Sequence, residues 1–309
     1  MFHKVKNVFA LSEYRLSVQF SEGVTKIYDV KPLFERLPVF AELSKAEFAC
    51  VSVDVGGYGI IWNDEIDLSC DELWERGVRV CASTEPLGKG VAETALGFTI
   101  SACKNFYAIN EDLHNGGYYR DRINEVYGIT VGAISAGFVG RHYIKLMQNF
   151  GVDILLYDPF VSAEDAKKMG CTKVELDELL KRSDVVSIHA PRIPETYHMI
   201  NADTLKLMKK DAILINTSRG TVIDEKALYE HMAAGNLKYT CMDVYDPEPP
   251  AADNPLRSLK NVIMTSHIAG LVDNGLLRIG EHCADEITRF VQNEPLHCEV
   301  KQEMLAKMA

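Results

Sequence analysis

The chain has 309 residues, 47% hydrophobic and 25% charged, with a formal net charge of −11. Such a composition fits a globular chain long enough for two domains. It excludes the broad basic surface that nucleic-acid binding needs, and no apolar run reaches the ~18 residues of a membrane span. The N-terminal stretch MFHKVKNVFALSEYR lacks a signal-peptide pattern. The eight cysteines form no C-x-x-C pair and show no zinc spacing. They are expected to be buried or unreactive free thiols in a reducing cytoplasm, with no bound metal.

In chain order, YRLSVQFSEG (14–23) and TKIYDV (25–30) predict two strands joined through Ser21-Glu22-Gly23, a hairpin signal. LFERLPVFAEL (33–43) is a poor helix because Pro38 interrupts it. FACVSVDV (48–55) predicts a strand, GGYG (56–59) a turn and IIWNDEIDL (60–68) one further strand. This is a small α+β pattern without a βαβ unit. VAETALGFTISACKNFYAINEDLH (91–114) predicts one long helix.

From 128 onward, apolar runs alternate with helical patterns. The predicted strands are GITVGAI (128–134), VDILLYD (152–158), DVVSIHAP (184–191), DAILINTS (211–218), YTCMDVY (239–245) and NVIMTSH (261–267). Between them, 142–150, 176–183, 203–210 and 224–235 have helical spacing, with Gly151 and Gly235 as stop signals. Near-continuous apolar strands separated by amphipathic helices predict a doubly wound, Rossmann-type α/β domain with a parallel sheet.

The loop Ser135-Ala136-Gly137-Phe138-Val139-Gly140 has the form of a dinucleotide-binding G-x-G-x-x-G with serine first. Gly137 allows backbone to approach a pyrophosphate, and Gly140 allows the helix to pack close to its strand. The helix N-terminus offers free N–H groups to phosphate. If Ser135 takes φ > 0, the cost is about 1 kcal/mol; if φ stays negative, the cost vanishes and its hydroxyl is free to donate to the ligand. Asp158, eighteen residues after Gly140 and at the end of the next strand, suits the ribose hydroxyls of NAD and would repel the 2′-phosphate of NADP. Its alternative reading is a turn residue before Pro159.

Three further segments lie at strand ends, where ligands bind in a parallel sheet. INTSRG (215–220) places Arg219 there, DVYDPEPP (243–250) places Asp243 and Glu248, and TSHIAG (265–270) places His267. Arginine binds a carboxylate and polarises a carbonyl, histidine moves a proton as hydride transfers, and a neighbouring glutamate orients the imidazole and favours its charged form. The bland alternatives are an Arg219–Asp224 salt bridge, a solvated Glu248 and a hydrogen-bonded strand-end His267. His189 is expected to line the cofactor cleft through its backbone, while His114, His142 and His231 are expected at the surface.

With these motifs the sequence resembles the D-isomer-specific 2-hydroxyacid dehydrogenases. The matching stretches run from WERGVRVCAS (74–83) through VAETALG, ISAGFVGRH, LYDPF, LKRSDVVSIHAP, AILINTSRGTVIDEKAL, MDVYDPEPP and NVIMTSHIAG, about three quarters of the chain. The tail EPLHCEVKQEMLAKMA (294–309) resembles the family's C-terminal return segment. The resemblance implies Arg219, Glu248 and His267 as catalytic residues. It implies a cofactor site of Ser135, Gly137, Phe138, Val139, Gly140, Asp158, His189, Ala190, Pro191, Thr217, Ser218, Arg219, Asp243, His267 and Gly270, with Asp243 on the nicotinamide carboxamide. It also implies NAD as cofactor, a small 2-oxo or 2-hydroxy acid as substrate, and a homodimer formed through the cofactor domain and the helix matched at 91–110.

The front departs from the family. Residues 1–73 lack the βαβ units of its flavodoxin-like substrate domain and resemble instead a short bacterial domain of unassigned function. The expected organisation is a small α+β domain over 1–73, a linker and interdomain helix over 74–110, an NAD-binding domain over 111–284 and the return segment over 285–309. GGYG is either a plain turn or a substitute for the missing carboxylate-binding loop. Three functions follow: an NAD-dependent 2-hydroxyacid dehydrogenase, a non-catalytic NAD-binding protein, or a scaffold whose front domain binds another protein.

Overall fold

The structure, a computed structural model, describes residues 3–63, 66–74, 80–270, 273–292, 294–300 and 304. Residues 75–79 of WERGVRVCAS and most of the tail after Val300 lie outside the described residues. The chain divides into two compact units, Met1–Val80 and Cys81–Ala309. Among the described residues no helix is long and apolar enough to cross a membrane.

The first unit holds β1 (Val5–Leu11), β2 (Arg15–Phe20), β3 (Thr25–Asp29), α1 (Lys31–Arg36), α2 (Lys45–Phe48), β4 (Ser52–Val53), β5 (Gly59–Asn63), β6 (Ile66–Ser69) and α3 (Cys70–Trp74). β1–β2–β3 form an antiparallel meander, and β4–β5–β6 form a second one. Alternation along β2 buries Leu16, Val18 and Phe20 in a core shared with Phe40, Phe48 and Ile60. The predicted hairpin of β2 and β3 is present, and β1, which the sequence reading passed over, completes that sheet.

Two predicted strands are corrected here. Residues 60–68 form two strands, because Asn63 Oδ1 accepts from the Ile66 amide at 2.9 Å and turns the chain. Within 48–55 only Ser52–Val53 is strand; Phe48 ends α2, which is closed by a Ser44/Glu47 capping box. GGYG is the turn between β4 and β5. Its Gly57 sits at φ +76, and a Cβ there would stand 2.6 Å from Val5 O.

The second unit begins near β7 (Val80–Cys81) and continues with α4 (Thr84–Cys103), α5 (Phe106–His114), β8 (Thr130–Ile134), α6 (Phe138–Met147), β9 (Asp153–Tyr157), α7 (Ala163–Lys168), β10 (Thr172–Lys173), α8 (Leu176–Arg182) and β11 (Val185–Ile188). Then come α9 (Ala202–Leu205), β12 (Ile213–Asn216), α10 (Glu225–Ala233), β13 (Tyr239–Met242), β14 (Val262–Met264), α11 (Asp273–Val291) and β15 (Glu299–Val300). The seven-stranded sheet runs β10-β9-β8-β11-β12-β13-β14, all parallel. Six of its strands were predicted; β10 is too short to show a pattern. β8, β11, β12 and β13 carry buried cores on both faces, one around Leu179, Leu214 and Leu228, the other around Val131, Tyr143 and Ile215.

The predicted helix over 91–114 is also corrected: it is two helices. Asn105 breaks it in a left-handed conformation, φ 59. Its side chain donates to Asp121 O at 2.9 Å and accepts from the Tyr239 hydroxyl at 2.8 Å. Lys238, 4% exposed, secures the same corner by donating to the carbonyls of Cys103 and Arg122. The helix expected over 203–210 ends at Leu205. Ile134, Ile188, Asn216, Met242 and Met264 stand in register across five strands, so the residues that follow them share one sheet edge.

Candidate active site

The strand order reverses between β8 and β11, and the Ser135–Gly140 loop leaves the sheet there. Ser135 takes φ +74, so the strained alternative holds. Its hydroxyl stands 3.4 Å from Asp158 Oδ2. A Cβ on Gly140 would stand 2.1 Å from Ser135 O, which is why α6 needs glycine to pack this close. A Cβ on Gly137 would meet nothing within 4 Å, so that side of the loop is open. No side chain caps α6, and its first N–H groups face outward without an intrahelical partner. Phe138 is exposed and Val139 half-buried.

Asp158 is buried, with one oxygen accepting from the Ala136 amide and the other from Phe160, both at 2.8 Å. It therefore ties the loop after β8 to the end of β9. Beyond Phe160, Arg141, Val161, Asp165, Lys168 and Met169 line a cavity of about 370 Å³.

His189 follows β11 and packs against Tyr143, the ring centroids 5.0 Å apart and the planes tilted at 48°. Neither ring nitrogen has a partner, and burial pushes its pKa down to about 3, so the ring is neutral. Its side chain is thus buried and uncharged. Ala190 is buried and Pro191 half-buried beside it, and Thr217, past β12, keeps a buried hydroxyl without a partner.

Past β12, Asn216 shapes the next turn. Its Oδ1 accepts from the amide and hydroxyl of Ser218, and its Nδ2 donates to Arg219 O at 3.0 Å. Arg219 itself is exposed and donates to Ser218 O. Asp224 instead caps α10 through the Ala227 amide, and no described ion pair joins it to Arg219.

Past β13, Asp243 is fully buried. Its carboxylate accepts from Thr265 Oγ1, from the Ile268 amide at 2.9 Å and from the Ala269 amide at 2.8 Å. These bonds hold the turn that carries His267 in a left-handed conformation, φ 56. His267 Nδ1 lies 2.5 Å from Glu248 Oε1, so Glu248 and His267 meet although nineteen residues separate them. With a carboxylate on Nδ1, that nitrogen holds the proton and Nε2 is left to a ligand. Gly270 closes the turn, and a Cβ there would stand 3.1 Å from Leu87 of α4.

A family model for "D-isomer specific 2-hydroxyacid dehydrogenase, NAD binding domain" matches residues 96–269, more than half of the chain and the segments above from Ser135 to Ala269. The chain belongs to this family. The D-3-phosphoglycerate dehydrogenase of Methanocaldococcus jannaschii is 36% identical over 75% of this chain and 44% of its own length. The glyoxylate reductase of Korarchaeum cryptofilum is 33% identical over 78% of this chain and 74% of its own. Among solved structures, a D-lactate dehydrogenase from Aquifex aeolicus, complexed with NAD and lactic acid, superposes with a TM-score of 0.62 at 33% identity, covering 71% of each chain. The chain spans about half the length of the D-3-phosphoglycerate dehydrogenases it matches. A second model, "Protein of unknown function (DUF2442)", matches residues 5–79, as the departure at the front implied.

Within the family site, the sequence reading missed the residues that hold others in place: Asn216, Glu225, Tyr245 and Thr265. Asn216, Tyr245 and Thr265 are polar side chains at or just beyond strand ends, which was the available signal; Glu225 opens α10 and gave none. Glu225 accepts from the Asp246 amide at 2.9 Å and from Asn254. One other expectation is corrected. His142 and His231 are half-buried in amphipathic helices, and burial lowers the His231 pKa. All eight cysteines are free, with Cys50 and Cys283 exposed.

Proposed function

We propose that the chain is an NAD-dependent oxidoreductase that interconverts a small 2-hydroxy acid and its 2-oxo acid. The observation that carries this reading is the Glu248–His267 contact at the edge that also bears the Ser135–Gly140 loop. NAD, when bound, takes or supplies the hydride. The uncapped first turn of α6 and the open side of Gly137 suit a pyrophosphate, which Ser135, Phe138 and Val139 would flank. Asp158 suits the adenosine ribose; Ala190, Pro191 and the neutral His189 would wall the crevice. Thr217, Ser218, Asp243 and Gly270 would border the nicotinamide end.

Glu248 fixes the His267 ring through Nδ1, so Nε2 gives a proton to the forming hydroxyl and removes it in the reverse direction. Arg219 binds the substrate carboxylate through its planar fork and polarises the carbonyl. Exposed apolar side chains on and after α5, namely Phe106, Leu113 and Tyr118, support a homodimer through the cofactor unit. Eight free thiols support a cytoplasmic setting. The front unit, by its own family match, is read as a domain joined to the cofactor unit near residue 74.

The test mixes purified chain with NADH and a panel of 2-oxo acids and follows absorbance at 340 nm. Turnover is expected on at least one acid, with His267→Ala about 100-fold or more slower. Saturable NADH binding without turnover on any acid would refute the dehydrogenase and favour a non-catalytic NAD-binding protein.

A further inference from the structure

Asp243, Tyr245 and Glu248 sit on one corner past β13, and all three reach across to the segment that carries His267. Asp243 takes amides 268 and 269, as described above. Tyr245, 5% exposed, donates from its hydroxyl to Thr265 O at 2.7 Å, with Met242 O at 3.0 Å. His267 is therefore gripped on both sides, by Tyr245 two residues before it and by Asp243 one and two residues after. Glu248 follows Tyr245 by three residues on the same corner. The corner is itself fixed from below, because a Cβ on Gly220 would stand 1.9 Å from the Tyr245 carbonyl, and Glu225 holds the Asp246 amide.

We propose that the Tyr245 hydroxyl is a positioning residue for the acid/base pair: by holding Thr265 O it sets the Glu248–His267 contact. A phenylalanine in its place would fill the same space and pack the same way. It would leave Thr265 O without its phenol donor, on the side of a turn that His267 occupies at φ 56. A left-handed histidine persists only while its surroundings over-determine it. Losing one grip lets the ring leave the 2.5 Å contact with Glu248. Besides His267 and the Tyr245 phenol itself, the charged groups at this corner include Asp243, Glu248, Glu225 and Arg257. The role rests on the dehydrogenase reading for its catalytic consequence, but the contact can be measured without turnover.

The experiment compares wild type with Tyr245→Phe and, as a control, Tyr127→Phe, whose phenol is exposed. With histidine labelled by ¹⁵N, the downfield proton on His267 Nδ1, assigned by its loss in His267→Gln, reports the contact directly. It is expected to be sharp in wild type and Tyr127→Phe and broadened or absent in Tyr245→Phe. On the best 2-oxo acid, kcat is expected to fall about tenfold in Tyr245→Phe, with KM and NADH affinity within twofold of wild type. A resonance and kcat unchanged by Tyr245→Phe would overturn the proposal. If wild type turns over no 2-oxo acid, the dehydrogenase reading fails and the resonance alone decides the role of Tyr245.

Discussion

His189 makes acid sensitivity a measurable property of the cofactor unit. Burial holds its folded pKa down to about 3, whereas an unfolded histidine titrates near ~6.5. Below pH 6.5 the unfolded chain takes up a proton that the folded chain refuses. The contribution to stability is therefore complete above about pH 6.5 and is lost as pH falls toward 3. From pH 7 to pH 5 the loss from this one ring is about 2 kcal/mol, and the slope approaches ~1.4 kcal/mol per pH unit. His189→Asn removes the titration. The variant has its own packing cost, because the contact with the Tyr143 ring is lost, but that cost does not depend on pH.

The measurement is urea unfolding of both proteins at pH 7, 6 and 5, followed by far-UV circular dichroism. Tryptophan fluorescence separates the units, since the chain's two tryptophans, Trp62 and Trp74, both belong to Met1–Val80. Between pH 7 and 5 the dichroism transition of wild type should lose about 2 kcal/mol more than that of the variant. The fluorescence transition should respond alike in both. Equal losses by dichroism would show that His189 titrates normally or meets a partner in the folded chain, and the reasoning would fail.

Gly140→Ala should cost about 2 kcal/mol or more and weaken NADH at least tenfold, because the added Cβ meets Ser135 O at 2.1 Å and backbone must yield. A fluorescence titration with NADH checks it, and affinity within twofold of wild type would argue against a close-packed loop. Ser135→Gly should do the reverse. It removes about 1 kcal/mol of left-handed strain at φ 74, part of which is offset by the greater freedom of glycine when unfolded. The cofactor-unit melting midpoint is expected to rise by about 1–3 °C with NADH affinity retained; a lower midpoint would show that the 3.4 Å contact with Asp158 outweighs the strain.

The cofactor unit was legible because its strands are buried on both faces and so read as continuous apolar runs, while Gly151 and Gly235 mark helix ends by their left-handed φ. The break at Asn105 was not. Its reason is a set of bonds to Asp121 and Tyr239, residues sixteen and more than a hundred positions away, and local pattern does not carry such partners. The front unit was harder for another reason. Its strands are short and half-exposed, and Asn63 turns the chain inside what looks like one strand. At the site, residue types and strand-end positions pointed to Arg219, Glu248 and His267. The framework beneath them, Asn216, Asp243 and Tyr245, is set by backbone contacts across the sheet edge, and only coordinates reveal those.

The bonds that fix Glu248 against His267 and shape the Arg219 turn begin and end within residues 216–269. No described bond among them calls on Met1–Val80. The Glu248–His267 contact and the Arg219 turn are therefore a portable cassette: their local geometry travels with one contiguous stretch of chain, whatever is joined in front. Exchange of the front unit during descent would leave the Glu248–His267 contact assembled.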